Sequence, residues 1–203
     1  TEKLVNSMIL VLDFGSQYTQ IIAGRVRELG VYSEIHPYNV PLARLKELKP
    51  AGVILSGGPA SCYDVDAPRL EPAVLDLGVP VLGICYGLQV LARHLGGTVV
   101  PGEKREYGAA NLRVVDAECP LFAGFTAGEP ERVWMSHGDR LAVLPPGARL
   151  AATSDNAPTA AAWDPVRRWF GVQFHPEVVH TPRGKEILGN FVHRVCGLGA
   201  DWT

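Results

Sequence analysis

Charge of one sign, long apolar runs and cysteine are what this chain has little of, and each lack narrows what it is. Its 19 Lys and Arg nearly cancel 21 Asp and Glu, leaving a formal charge of −2, so it carries no electrostatic footprint for nucleic acid or an anionic membrane. Its longest apolar runs are of strand length, and no long apolar segment of secretory type opens the chain. The four cysteines, at positions 62, 85, 119 and 196, show neither metal-ligand spacing nor the density of a disulfide scaffold, which predicts a reducing, cytoplasmic setting and no metal site. Internal repeats and low-complexity stretches are missing as well. What is present is apolar substance: 47% of 203 residues, enough for a substantial core in a single domain spanning residues 1–203, with 199–203 reading as the start of a linker.

Strands and helices alternate in the manner of a mostly parallel sheet covered on both faces. Met8 to Leu12 reads as a strand, and Ser16 as the cap of a helix whose Ile22, Val26 and Leu29 form an apolar stripe before Gly30 stops it. Val31 to Ile35 and Val53 to Leu55 read as further strands, with a short helix after Pro41 between them and another helix over Arg69 to Leu77. Val79 to Ile84 is the next strand, followed by a helix ending at Gly96-Gly97. Beyond it the pattern changes to short strands at Leu112 to Val115, Arg132 to Met135, Leu150 to Thr153, Ala160 to Trp163 and Trp169 to Phe174, which predicts antiparallel additions at one edge. Thr181 to Val195 closes the chain as a helix.

Gly83-Ile84-Cys85-Tyr86-Gly87 sets a cysteine between two glycines where an apolar run gives way to a helical pattern. A residue on so tight a strand-to-helix turn is held with strained backbone angles, and its side chain projects out of the sheet. The following helix aims free N–H groups and its positive end at the sulfur, which favours thiolate. A buried structural cysteine is the competing reading.

In Gly171-Val172-Gln173-Phe174-His175-Pro176-Glu177, alternation places His175 where a strand ends, because Pro176 cannot continue the ladder. Strand ends are where catalytic groups gather in an open α/β sheet. A thiol attacking an acyl carbon needs a base of this kind, and the Glu177 carboxylate can bond the imidazole nitrogen facing away from sulfur. Leu55-Ser56-Gly57-Gly58-Pro59 then supplies two glycines at another strand end, able to turn a backbone N–H into a site. Gly58 is the candidate donor, and the N–H of Tyr86 the second. No Gly-Lys-Ser/Thr follows, which argues against a phosphate loop.

On these motifs the chain resembles the class I (triad-type) glutamine amidotransferases, whose pattern is carried by Ser56-Gly57-Gly58-Pro59, Gly83-Ile84-Cys85-Tyr86-Gly87-Leu88-Gln89 and Phe174-His175-Pro176-Glu177. Leu12 to Gln20, Lys104 to Gly108, Trp134 to Asp139 and Val178 to Gly184 make it most similar to the branch that serves GMP synthesis. The resemblance runs nearly end to end. It implies a flavodoxin-like three-layer fold, Cys85 as nucleophile, His175 as base, Glu177 as its orienter, and no cofactor for hydrolysing glutamine to glutamate and ammonia. It also implies a glutamine site between Gln89, the backbone of Ser136, His137, Gly138 and Asp139, and the Gly57-Gly58 loop. The ammonia would pass to an ATP- and Mg-dependent synthetase domain or subunit of the ATP-pyrophosphatase type that converts XMP to GMP. No Ser-Gly-Gly-x-Asp-Ser pyrophosphatase loop occurs within this sequence. Service to an anthranilate or carbamoyl phosphate enzyme, or a role as a non-catalytic docking module, are the alternatives. A peptide flip at Gly57-Gly58 would give such an enzyme a place for control by its partner.

Other candidates read as structural. Gly138 behind His137 suggests a turn offering backbone groups, hence a substrate contact and not the base. His36, His94 and His193 lack companions, and Trp134 and Trp163 read as core or interface rings. Asp13 is either a carboxylate at the first strand end or a cap of the Asp13-Phe14-Gly15 turn.

Overall fold

A computed structural model of the chain describes residues 7–203, apart from the side chains of residues 103–106 and 137. Part of the Lys104-Arg105-Glu106 motif and the His137 side chain therefore lie outside the described residues. The elements run β1 (Met8–Asp13), α1 (Thr19–Glu28), β2 (Tyr32–Pro37), α2 (Leu42–Leu48), β3 (Gly52–Leu55), β4 (Val81–Ile84) and α3 (Tyr86–His94). They continue with β5 (Thr98–Val114), β6 (Glu131–Val143), β7 (Arg149–Ser154), β8 (Ala161–Asp164), β9 (Trp169–Val172) and α4 (Gly184–Gly189), which passes into a π-helical turn over Asn190–Val195.

All nine strands join one sheet in the order β2-β1-β3-β4-β9-β8-β7-β5-β6. From β2 to β9 every pair is parallel, and from β9 to β6 every pair is antiparallel. The expected parallel sheet with antiparallel additions at one edge is the architecture found. Strands β3, β4 and β9 are buried throughout and read as near-continuous apolar runs because helices cover both their faces. Alternation within β1 divides the core: Ile9 and Val11 face the layer of α1 and α4, while Leu10 and Leu12 face that of α2 and α3. Strand order reverses at β1, so the carboxyl ends of β1 and β3 flank a switch point, the usual ligand crevice of such sheets.

Several local expectations are corrected. The segment Arg69 to Leu77 is no α-helix but a 3₁₀ turn over Pro72–Leu77. Pro72 forces Glu71 out of the helical region, at φ −73° and ψ 114°, so the turn starts three residues late. The short strands at Leu112 and Arg132 are the ends of two long ones, 17 and 13 residues, whose ladder passes Pro101 through a register shift. Ser16 does not cap α1: its hydroxyl accepts from Tyr18 N–H at 3.0 Å in the preceding turn. Asp13 belongs to that turn, its Oδ1 taking the Gly15 N–H at 2.8 Å and the Thr19 hydroxyl at 3.0 Å. The closing helix begins at Gly184 rather than Thr181. Residues 199–203 fold back, with Trp202 N–H on the Gly30 carbonyl at 2.8 Å and Arg27 over the indole. Among the described residues no helix is long and apolar enough to cross a membrane.

Candidate active site

Four strand ends converge at the switch point. Cys85 follows β4 with φ 51° and ψ −110°, the strained elbow that its neighbours anticipate. The glycines around it are there because backbone passes too close for a side chain: a Cβ at Gly83 would lie 2.6 Å from Leu88 N, and one at Gly87 would lie 2.4 Å from the Leu55 carbonyl oxygen.

Two groups from the end of β9 meet the Cys85 sulfur. It lies 3.2 Å from Nε2 of His175 and 2.9 Å from the Gln173 carbonyl, to which a thiol donates. Nδ1 of His175 lies 2.6 Å from Oε1 of Glu177. The histidine and the glutamate are 4% and 0% exposed, so water screens this chain of contacts very little. Burial opposes a charged imidazole, but the adjacent sulfur and the Glu177 carboxylate outweigh it and raise His175 to about 11. The competing structural reading of Cys85 loses its ground here, since a core cysteine has no reason to face a buried histidine–carboxylate pair.

The His175 backbone is held by a device the motifs do not announce. His175 N–H donates to the Trp134 carbonyl at 2.9 Å, but the reciprocal bond is relayed. Thr181, buried in the following turn, donates its hydroxyl to the His175 carbonyl at 2.7 Å and accepts from Trp134 N–H at 3.0 Å. Arg25 of α1 donates to the Glu177 carbonyl at 2.9 Å, and the Tyr18 ring stands edge-on to the imidazole at 5.2 Å.

A cleft of about 570 Å³ opens beside the sulfur. Cys85, His175, Gly58, Tyr86, Gln89 and Asp139 all line it, together with the backbone-rich turn at Ser136 and Gly138. Neither the Gly58 nor the Tyr86 N–H has an acceptor among the described residues. Gln89 donates from Nε2 to the Asp139 carbonyl at 3.0 Å, joining α3 to β6 across the cleft. Ser61 donates to Asp139 Oδ2, tying the loop after the glycine pair to the same strand. Gly57 departs from expectation. It does not line the cleft but is buried behind it, where a Cβ would stand 3.2 Å from the imidazole Cε1. Sequence reasoning missed Ser56, Ser61, Tyr107 and Thr181. Only Ser56, a hydroxyl at a strand end beside two glycines, carried a local signal.

An open flavodoxin-ordered sheet carries a cysteine, histidine and glutamate at adjoining strand ends, and the chain belongs to the class-I glutamine amidotransferases, whose family model matches residues 10–195. It is 53% identical over 195 residues to the glutamine-hydrolysing GMP synthase of Heliobacterium modesticaldum, covering 96% of this chain and 37% of that protein. The corresponding enzyme of Nitrobacter hamburgensis is 55% identical over 196 residues, with 96% and 36% covered. The chain thus spans little more than a third of the length of the curated relatives it matches. Among solved structures, a Thermoplasma acidophilum protein assigned to the GMP synthases superposes with a TM-score of 0.78 at 33% identity, covering 94% of each chain. A glutamine amidotransferase of Thermotoga maritima, at TM-score 0.72 and 21% identity over 94% of this chain and 98% of its own, shares the fold.

Proposed function

We propose that the chain hydrolyses the side-chain amide of glutamine through a Cys85 thioester and feeds the ammonia to a GMP synthetase unit in the cytoplasm. The contact that supports this most directly is the Cys85 sulfur 3.2 Å from Nε2 of His175 beside a cleft lined by polar backbone. In the first half-reaction sulfur attacks the amide carbon with its proton held on Nε2, and the carbonyl oxygen takes up negative charge. The N–H groups of Gly58 and Tyr86 stabilise that charge. Collapse breaks the C–N bond, Nε2 returns its proton to the departing nitrogen, and ammonia leaves a thioester behind. Water then gives a proton to Nε2 and attacks the thioester, a second oxyanion forms, and glutamate leaves as sulfur recovers the proton. Glu177 fixes the imidazole through Nδ1 in both halves. Gln89 and the backbone from Ser136 to Asp139 hold the glutamine.

This chemistry needs no cofactor, while ATP and Mg belong to the synthetase that aminates XMP. Relatives named glutamine-hydrolysing GMP synthase, with most of their length beyond this chain, favour that acceptor over anthranilate or carbamoyl phosphate synthesis. The test is ammonia release from glutamine by this chain, then GMP formation when it is combined with a GMP synthetase unit, ATP and XMP with glutamine as the only nitrogen source. Both are expected. No ammonia release would overturn the hydrolytic reading, and release without any GMP would overturn the acceptor.

A further inference from the structure

Ser56 stands at the carboxyl end of β3, fully buried and absent from the lining of the cleft. Its hydroxyl accepts from Phe14 N–H at 2.9 Å and donates to the Gly57 carbonyl at 2.9 Å. The bond from Phe14, at the end of β1, occupies a lone pair and so aims the hydroxyl hydrogen at Gly57. The peptide joining Gly57 to Gly58 is planar and trans, and its C=O and N–H therefore point in opposite directions. Anchoring the carbonyl on Ser56, away from the cleft, turns the Gly58 N–H toward the side on which Gly58 lines it with Cys85 and Tyr86.

Two successive glycines have no conformational preference that would hold this orientation unaided. A flipped peptide would set a carbonyl oxygen where the oxyanion develops, replacing a donor by a repulsive dipole. We propose that Ser56 is a positioning residue whose hydroxyl locks the Gly57–Gly58 peptide with its N–H facing the cleft, so that the oxyanion site stands formed in this chain without a partner. The inference rests on the glutaminase reading above. It also replaces the expectation of control by a flip at the glycine pair, because a locked peptide leaves the synthetase nothing to rearrange there.

The test is steady-state glutaminase kinetics of Ser56→Ala beside rates of Cys85 alkylation by iodoacetamide, a reaction that forms no oxyanion. Losing one oxyanion donor typically costs about 10²- to 10³-fold in turnover. A peptide released from its lock only part of the time should cost about 10- to 10²-fold, read in kcat with KM nearly unchanged. Alkylation of Cys85 should keep its wild-type rate, and Ser56→Thr, which retains the hydroxyl, should keep most of the turnover. Because Ser56 acts through Gly58, Ser56→Ala combined with Gly58→Ala should be no slower than Gly58→Ala alone. Wild-type kcat in Ser56→Ala, alkylation slowed in step with turnover, or losses that multiply in the double variant would each overturn the lock. So would a rise of about 10²-fold in wild-type kcat on adding the loaded synthetase, since that marks a donor formed only by the partner. If Ser56→Ala does not fold, Ser56→Cys, which keeps the volume but donates weakly, carries the same expectations. A wild-type chain that releases no ammonia would sink the glutaminase reading itself, whereas an active wild type with an unimpaired Ser56→Ala sinks only the lock.

Discussion

Oε1 of Glu177 lies 2.6 Å from Nδ1 of His175, while Oε2, equally buried, has no hydrogen-bond partner among the described residues. The carboxylate thus has the His175 imidazole as its one hydrogen-bond partner among the described residues. Turnover should fall most in His175→Ala, because every proton transfer passes through that ring, and less in Glu177→Ala, where orientation alone is lost. The double variant should be little slower than His175→Ala. Stability should rank differently: His175→Ala strands a buried charge at a cost of about 3–5 kcal/mol, whereas the double variant removes the charge as well. Denaturant titration should find the double variant more stable than His175→Ala, and the reverse order would mean that Glu177 is compensated elsewhere.

Selective labelling follows from the surroundings of each thiol, since Cys85, though only 3% exposed, lines the cleft. Burial pushes the Cys119 and Cys196 thiols up to about 12, so iodoacetamide at a pH of about 8 should modify Cys85 and leave these two unmodified. Mass spectrometry of digests reads the sites, with Cys62, next to the cleft-lining Ser61, replaced by Ser beforehand. The same shifts set an alkaline limit. Unfolded thiols ionise near about 8.5 and these folded ones near about 12, so their contribution to stability is complete below about 8.5 and is lost as pH rises toward 12. Early labelling of Cys119 or Cys196 would contradict their placement.

Gly58→Ala should fold but turn over slowly. A Cβ there would meet the Phe14 carbonyl oxygen at 2.5 Å, a backbone atom with no freedom to step aside, so the loop must shift and carry its N–H with it. A loss of about 10²- to 10³-fold in kcat is expected. Wild-type turnover would remove Gly58 from the oxyanion site.

Thr181→Val keeps the shape of the side chain and deletes the relay between His175 and Trp134. One buried carbonyl and one half-buried N–H lose their partner, a loss of about 2 kcal/mol, which for a domain of this size lowers Tm by about 4–8 °C. Thr181→Ser should restore most of it. Calorimetry of the two variants decides the point, and equal Tm values for Thr181→Val and wild type would show that the relay carries no weight.

Much of the site is legible along the chain because its chemistry is local. The glycines of Gly83-Ile84-Cys85-Tyr86-Gly87 announce neighbours that would lie within 3 Å of any Cβ, and the two-residue step from His175 to Glu177 suffices for their hydrogen bond. Short-range features of this kind follow from covalent geometry and excluded volume, which depend on few residues. The parallel half of the sheet is legible for a similar reason, since strands buried on both faces must be apolar throughout.

What the tertiary structure alone decided are the contacts between distant segments. The Ser56 hydroxyl meets Phe14, 42 residues earlier, and Thr181 meets Trp134, 47 residues earlier. Nothing near Thr181 distinguishes it from a residue opening a helix, the role its sequence suggested. The length of β5 and β6 was hidden for the same reason: Pro101 and Gly138 interrupt the local pattern, and only the pairing of the two strands carries the ladder past them. By itself the sequence determined the cysteine elbow, the histidine at a strand end and the class of fold, because each is written in neighbouring residues and their steric demands. The wall of the cleft and the bonds that hold its catalytic backbone came only with tertiary structure, because a hydroxyl's partner is chosen by whichever buried N–H or carbonyl the packed chain leaves unsatisfied beside it.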